Sequence, residues 1–227
     1  MASNKDKYQD ETAIDKMNSH LTEAGSKIAD NKKIILIAVG VILVVAAFVL
    51  SYLFIYRNPH MEAAFEAYNG VETQALNDST AAAQYMEVAD KYKSDSAGKL
   101  AALSAGETLY SQGRYEEAAE YLKRFSSNDD VLEANALVLT GDCYVNLENY
   151  DEAIKYYQKA IRTADNNPQI VPRVLLKEAN VYDAQGNYGK ALECYQTIKS
   201  NFPEFRLGNG MEMDAYIARE IARMGAQ

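Results

Sequence analysis

YDEAIKYYQKA, residues 150–160, is the stretch that decides the fold, because it is one member of a set. Gly70, Gly106, Gly141 and Ala179 fall 36, 35 and 38 residues apart, and twelve residues after each stands an alanine: Ala82, Ala118, Ala153 and Ala191. Between the small residue and the alanine lies a turn in three copies: Gly113-Arg114-Tyr115, Glu148-Asn149-Tyr150 and Gly186-Asn187-Tyr188. Four residues beyond the alanine come Leu122, Tyr157 and Tyr195. A period of about 36 residues with small residues fixed on both sides of a turn predicts antiparallel helix pairs stacked in an array. Gly141 lets two helix backbones approach closely, the alanines let neighbouring helices pack, and Tyr144, Tyr150 and Tyr157 fill the larger holes between layers. The first copy is degenerate, with Ala82 and Ala89 but only Asn77-Asp78-Ser79 where the turn belongs.

YEEAAEY (115–121), YDEAIKYYQKA (150–160) and YGKALECY (188–195) resemble the second helices of tetratricopeptide repeats. The expected fold is all-α: a tetratricopeptide-repeat α-solenoid over residues 58–227, with repeats at about 60–94, 95–128, 129–167 and 168–203. Asn58-Pro59 offers an N-cap and a first-turn proline for the first helix. After Gly208-Asn209-Gly210, the helical spacing of Met213, Ile217, Ile221 and Met224 predicts a capping helix at about 210–225 that covers the last repeat.

Ahead of the array, Ile34 to Tyr56 runs 23 residues without a charged side chain. As a helix it spans roughly 34 Å, enough to cross a hydrocarbon core of about 30 Å. Bulky Leu53, Phe54, Ile55 and Tyr56 stand where a signal peptide would be cleaved, so the segment reads as an uncleaved signal-anchor. Lys27, Lys32 and Lys33 against Arg57 alone keep the N-terminus in the cytoplasm and send residues 58–227 to the outer side. The expected location is the inner membrane, single-pass, with the C-terminal domain periplasmic. Residues 1–33 form a cytoplasmic arm with six Lys and six acids, in which Ile14, Met17, Leu21, Ala24 and Ile28 recur at helical spacing.

Beyond Arg57 there are 16 Lys plus Arg against 26 Asp plus Glu. So acidic a domain repels phosphate backbones, which excludes nucleic acid as a natural partner. Cys143 and Cys194 read as two separate small core residues rather than a bridge, and without neighbouring histidines they make no zinc site. His20 and His60 flank the apolar segment and cannot converge on one metal. No nucleophile with a base, no carboxylate pair in a cleft signature and no glycine-rich phosphate loop is found, so no enzyme, cofactor or small-molecule substrate is expected.

Binding in such arrays falls on the concave face built by successive first helices. The repeat frame places Leu100, Leu103, Glu107 and Tyr110 there from the second repeat. Val138, Asp142 and Val145 come from the third, and Arg173, Leu176, Asn180 and Asp183 from the fourth. Leu103, Tyr110, Val138 and Leu176 are expected to form one apolar track. With one Arg and three acids, the face suits protein segments with apolar anchors and some positive charge.

The whole layout is similar to the YfgM-like ancillary subunits of the bacterial Sec translocon: Asn31-Lys32-Lys33 leading into an apolar run, a proline soon after it, then helical repeats at once. That resemblance implies an outer domain beside the translocon exit, in contact with a periplasmic chaperone and with unfolded, newly translocated clients. The rival expectation is a static envelope scaffold that organises an outer-membrane biogenesis or secretion complex.

Overall fold

The computed structural model describes residues 17–23, 32–75, 80–207 and 212–225. Every regular element among them is helical. The chain divides into two compact units, residues 1–59 and 60–227.

In the first unit, residues 17–23 are helical with Met17 and Leu21 exposed. Ile14, Ala24 and Ile28 of the same expected stripe lie outside the described residues. Helix α1, Lys32–Ser51, buries none of its residues. A six-residue π-helical turn, Tyr52–Arg57, follows. This corrects the expected N-cap: Asn58 has helical dihedrals (φ −64°, ψ −49°), and its N–H donates to the carbonyl of Leu53, five residues back. The physical reason is Pro59. A proline inside a helix lacks the N–H and clashes with the carbonyl four residues earlier, here Ile55, and a wider π turn relieves that crowding. Helix α1 belongs to a helical stretch long and apolar enough to cross a membrane by length and composition.

The repeat region is built from consecutive helices: α2 (Asn58–Ala75), α3 (Ala81–Lys91), α4 (Ser96–Ser111), α5 (Tyr115–Leu122), α6 (Asp130–Asn146), α7 (Tyr150–Thr163), α8 (Val171–Ala184), α9 (Tyr188–Asn201) and α10 (Met213–Gly225). The small residues sit where the repeat requires them: Ala118, Ala153, Ala179 and Ala191 are completely buried, and Ala82 nearly so. A β-carbon on Gly141 would lie 2.6 Å from the Tyr157 ring, so only glycine admits that ring. Gly70, the first member of the frame, has open space around it instead, in keeping with its degenerate repeat. The turns obey one backbone rule. Gly113 and Gly186 have φ of +78° and +73°, and Glu148, at the equivalent place, takes φ +56° despite its side chain. Asn149 and Asn187 then cap α7 and α9 by accepting backbone N–H bonds from Glu152 and Lys190.

The core forms two clusters. One joins α2–α5 with Ala136 and Cys143 of α6; the other joins α6–α9 and takes Met213, Tyr216 and Ile217 from α10. Helix α10 does pack on the last repeat, but its inward face is turned from the expected one. Ile221 and Met224 are exposed, 53% and 38%, whereas Glu220 is fully buried. Ionic contacts set this register. Arg219 and Arg223 both reach Asp183 of α8, and Arg219 also donates to Glu220 at 2.6 Å. Cys143 and Cys194 are free, buried, and in different clusters; burial pushes both thiols up to about 12.

Candidate functional site

Successive first helices α2, α4, α6, α8 and α10 are tied together by polar contacts at one-repeat spacing. The Tyr68 hydroxyl lies 3.3 Å from that of Ser104, 36 residues on. Asn146 donates to the Tyr110 hydroxyl at 3.3 Å across the same separation. Lys177 gives its ammonium to both oxygens of Asp142 at 2.9 Å, 35 residues apart. Arg219 donates to Asp183 at 3.4 Å, again 36 residues on. The ladder follows the shared face of the first helices, the face expected to bind.

Its centre is a cavity of about 350 Å³ shared by α4, α6, α7 and α8. Four expected residues meet there: Tyr110, Asp142, Val145 and Asn180. Tyr110 is half-buried and packs edge-on against Tyr115 at 5.3 Å. Asp142 is the hub. It accepts the Tyr157 hydroxyl at 2.6 Å as well as the Lys177 ammonium, and its side chain is 16% exposed. Burial, and then the Asp142 charge, hold the Tyr157 phenol far above its ordinary value, so Tyr157 stays a neutral donor. Sequence reasoning missed Asn146, Tyr150, Lys177, Val181 and Ala184, which complete the lining with Tyr157. Lys177 was legible in principle, since it stands one repeat after Asp142.

The other expected residues disperse. Leu100 lines a separate cavity of about 350 Å³ with Phe125 and Leu132. Arg173 and Leu176 line a third, of about 640 Å³, with Phe202, Phe205 and Arg206. Leu103 is only 9% exposed and belongs to the first core cluster, so it cannot act as a surface anchor. Val138 is half-buried against the second cluster. The single apolar track therefore breaks up: Tyr110 and Leu176 line separate cavities, while Leu103 and Val138 pack against the core. Asp183 is taken by Arg219 and Arg223 and is not a free acid. Glu107 is exposed, and it is in no ion pair among the described residues. Desolvation, and then the neighbouring Glu72, raise its carboxyl above the ordinary glutamate range. The acidic face read from sequence is thus neutralised at repeats three and four. The Asn77-Asp78-Ser79 stretch and the Gly208-Asn209-Gly210 break lie outside the described residues.

Helix pairs of this spacing, stacked through Gly and Ala contacts and closed by a further helix, define an α-solenoid of the protein-interaction class. Tetratricopeptide-repeat models match residues 72–131, 103–168 and 173–204, more than half of the sequence. The chain belongs to the tetratricopeptide-repeat family. No curated protein sequence matches it. Among solved structures it is similar to the MamA protein, at 22% identity and TM-score 0.50, over 73% of this chain and 88% of that one. It is also similar to a Podosopora anserina putative kinesin light chain with nearly identical repeats, at 12% identity and TM-score 0.52, over 74% and 86% of the two chains. At these identities the likeness shows the fold alone.

Proposed function

We propose that this protein is a single-pass membrane protein whose tetratricopeptide array works on the outer side of the inner membrane as an ancillary subunit of the Sec translocon. There it holds segments of newly translocated chains or of a periplasmic chaperone. The observation that carries the membrane part is α1, a 20-residue helix without a charge after Lys33 and without one buried residue. Its flanking charges favour a cytoplasmic N-terminus. The binding part rests on the Tyr110–Val145–Asn180 cavity, which offers apolar walls beside amide groups on the face that tetratricopeptide arrays expose. The array acts as a scaffold for protein partners; its chemistry is recognition.

Gentle detergent extraction followed by identification of co-purifying proteins is the direct test. Translocon subunits and a membrane-anchored chaperone are the expected partners. A constant set of outer-membrane assembly or secretion proteins, without translocon subunits, would replace this reading by the static scaffold. Topology is checked by fusing a reporter active only outside the cytoplasm after Gln227. A silent reporter there, with an active cytoplasmic one, overturns the localisation and the translocon role together.

A further inference from the structure

The largest of the three cavities, about 640 Å³, lies between the start of α8 and the segment after α9. Its size is that of a ligand site, about 300–1,000 Å³. Its charge runs against that of its surroundings, since the chain beyond Arg57 carries 26 acids against 16 bases. Arg114, Arg124, Arg219 and Arg223 each sit on a carboxylate. Arg173 and Arg206, which line this cavity, pair with no acid among the described residues, although Glu204 lines it too.

The walls are fixed. Phe202 and Phe205 are half-buried against the second core cluster. The Phe202 N–H donates to Ile198 at 2.9 Å and the Phe205 N–H to Phe202 at 2.9 Å. One Arg206 nitrogen, Nη1, donates to the carbonyls of Pro203 and Phe205 at 2.6 and 3.2 Å, and the rest of its fork has no partner among the described residues. Leu176 supplies the apolar wall opposite.

The fold itself does not demand these charges. The cavity at the start of α4 occupies the matching place two repeats earlier, and there Leu100 stands where Arg173 stands, each six residues before the small residue of its frame. Its polar lining is hydroxyl and amide, from Ser96, Ser126, Ser127 and Asn128, with the single ammonium of Lys99. No arginine lines that cavity, whereas two line the one beside α8.

We infer that this cavity is a docking site for an internal segment of a partner protein that presents a side-chain carboxylate next to an aromatic or aliphatic residue. A planar guanidinium matches a carboxylate in two parallel hydrogen bonds, and Phe202, Phe205 and Leu176 receive the adjoining apolar side chain. The inference deepens the reading of the array as a protein-interaction module and depends on that reading, not on the identity of the translocon.

The test uses the full-length protein in detergent micelles and a fluorescein-labelled peptide containing Glu-Phe-Asp-Leu-Glu, with a blocked N-terminus and an amidated C-terminus. Fluorescence anisotropy should show saturable binding that weakens with salt. Replacing the peptide's acids by Gln and Asn, or Arg173 by Gln in the protein, should weaken binding roughly 10–100-fold, as expected for charge-assisted hydrogen bonds. Arg173 is exposed and without an ion pair among the described residues, so Arg173→Gln should leave the helical spectrum and melting curve unchanged. Arg173→Lys, which keeps charge but loses the fork, should fall between. Absence of saturable binding, or equal binding by Arg173→Gln, overturns the inference. So does recovery of binding when the neutral peptide carries a free C-terminal carboxylate, because the site would then read chain ends. Failure here, with a crosslinker at Tyr110 still capturing partners, would remove this site and leave the interaction module standing.

Discussion

The two halves of the array differ in how their first helices are joined. Between α2 and α4 the link is a pair of hydroxyls, Tyr68 and Ser104, and the nearby acids Glu72 and Glu107 have no cation in ion-pair contact among the described residues. Between α6, α8 and α10 the links are ionic: Asp142 with Lys177, then Asp183 with Arg219 and Arg223. Acids that look alike in sequence therefore do opposite things. Those of the C-terminal half hold the solenoid together, while Glu107 keeps its charge facing outward. A cationic segment would be drawn to the N-terminal half, and an anionic one to the Arg173–Arg206 cavity at the far end.

The strongest way to break the C-terminal half is to wedge it. Gly141→Leu drives a side chain into the Tyr157 ring, where even a β-carbon would come within 2.6 Å. Thermal unfolding followed by circular dichroism should show a loss of roughly 1–3 kcal/mol, the range for overpacked cores. Gly70, with no atom within 4 Å of its would-be β-carbon, is the control in the other half.

Tyr157→Phe leaves the ring in place and removes only the donor to Asp142. A buried hydrogen bond to a carboxylate is worth about 1–2 kcal/mol, and the unfolding midpoint should fall accordingly. If the midpoint does not move, Lys177 alone satisfies Asp142, and the ionic link is stronger than its 43%-exposed lysine suggests.

Glu148→Gly works in the other direction. At φ +56° a glutamate is strained where Gly113 and Gly186 are not. Relief of about 1–2 kcal/mol, offset by the larger chain entropy of glycine, should leave a net gain of about 0.5 kcal/mol.

The smallest effect sharpens the N-terminal half. Burial, then Glu72, raise the Glu107 carboxyl above its unfolded value. Between the ordinary glutamate value and that raised one, the native state binds more protons than the unfolded state. Stability therefore rises as pH falls through the raised value and levels off below the ordinary one. Glu107→Gln should flatten this slope, measured as melting temperature against pH. Asp90, lowered chiefly by its hydrogen bond from Arg124, has the opposite sign: its contribution is present above the ordinary aspartate range and lost as pH falls through its lowered value. That acid-side loss should persist in the variant.

The repeat was legible because it rests on local rules. A 36-residue period, small residues at fixed places and Gly-x-Tyr turns each have one physical meaning, and Glu148 could be placed in the turn by its neighbours although its residue type argues against the conformation. The binding face was legible only as a set of positions. Register assigned Leu103 to the surface, yet its depth depends on how closely α4 is covered by its neighbours, which no single repeat encodes. Lys177 escaped because its meaning lies in Asp142, one repeat away. The turned register of α10 has the same cause: Met213, Ile217, Ile221 and Met224 describe a clean apolar stripe, but Arg219 and Arg223 are held by Asp183, on another helix.

The central claim is that the first-helix face, not the outer surface of the array, meets translocating chains or their chaperone. A photo-reactive amino acid in place of Tyr110, with Lys155 on the exposed side of α7 as control, tests it in cells. The account predicts crosslinks from Tyr110 to a translocating chain or to a chaperone, and none to these from Lys155. A Tyr110 probe that captures neither, while Lys155 captures one fixed assembly, would contradict it.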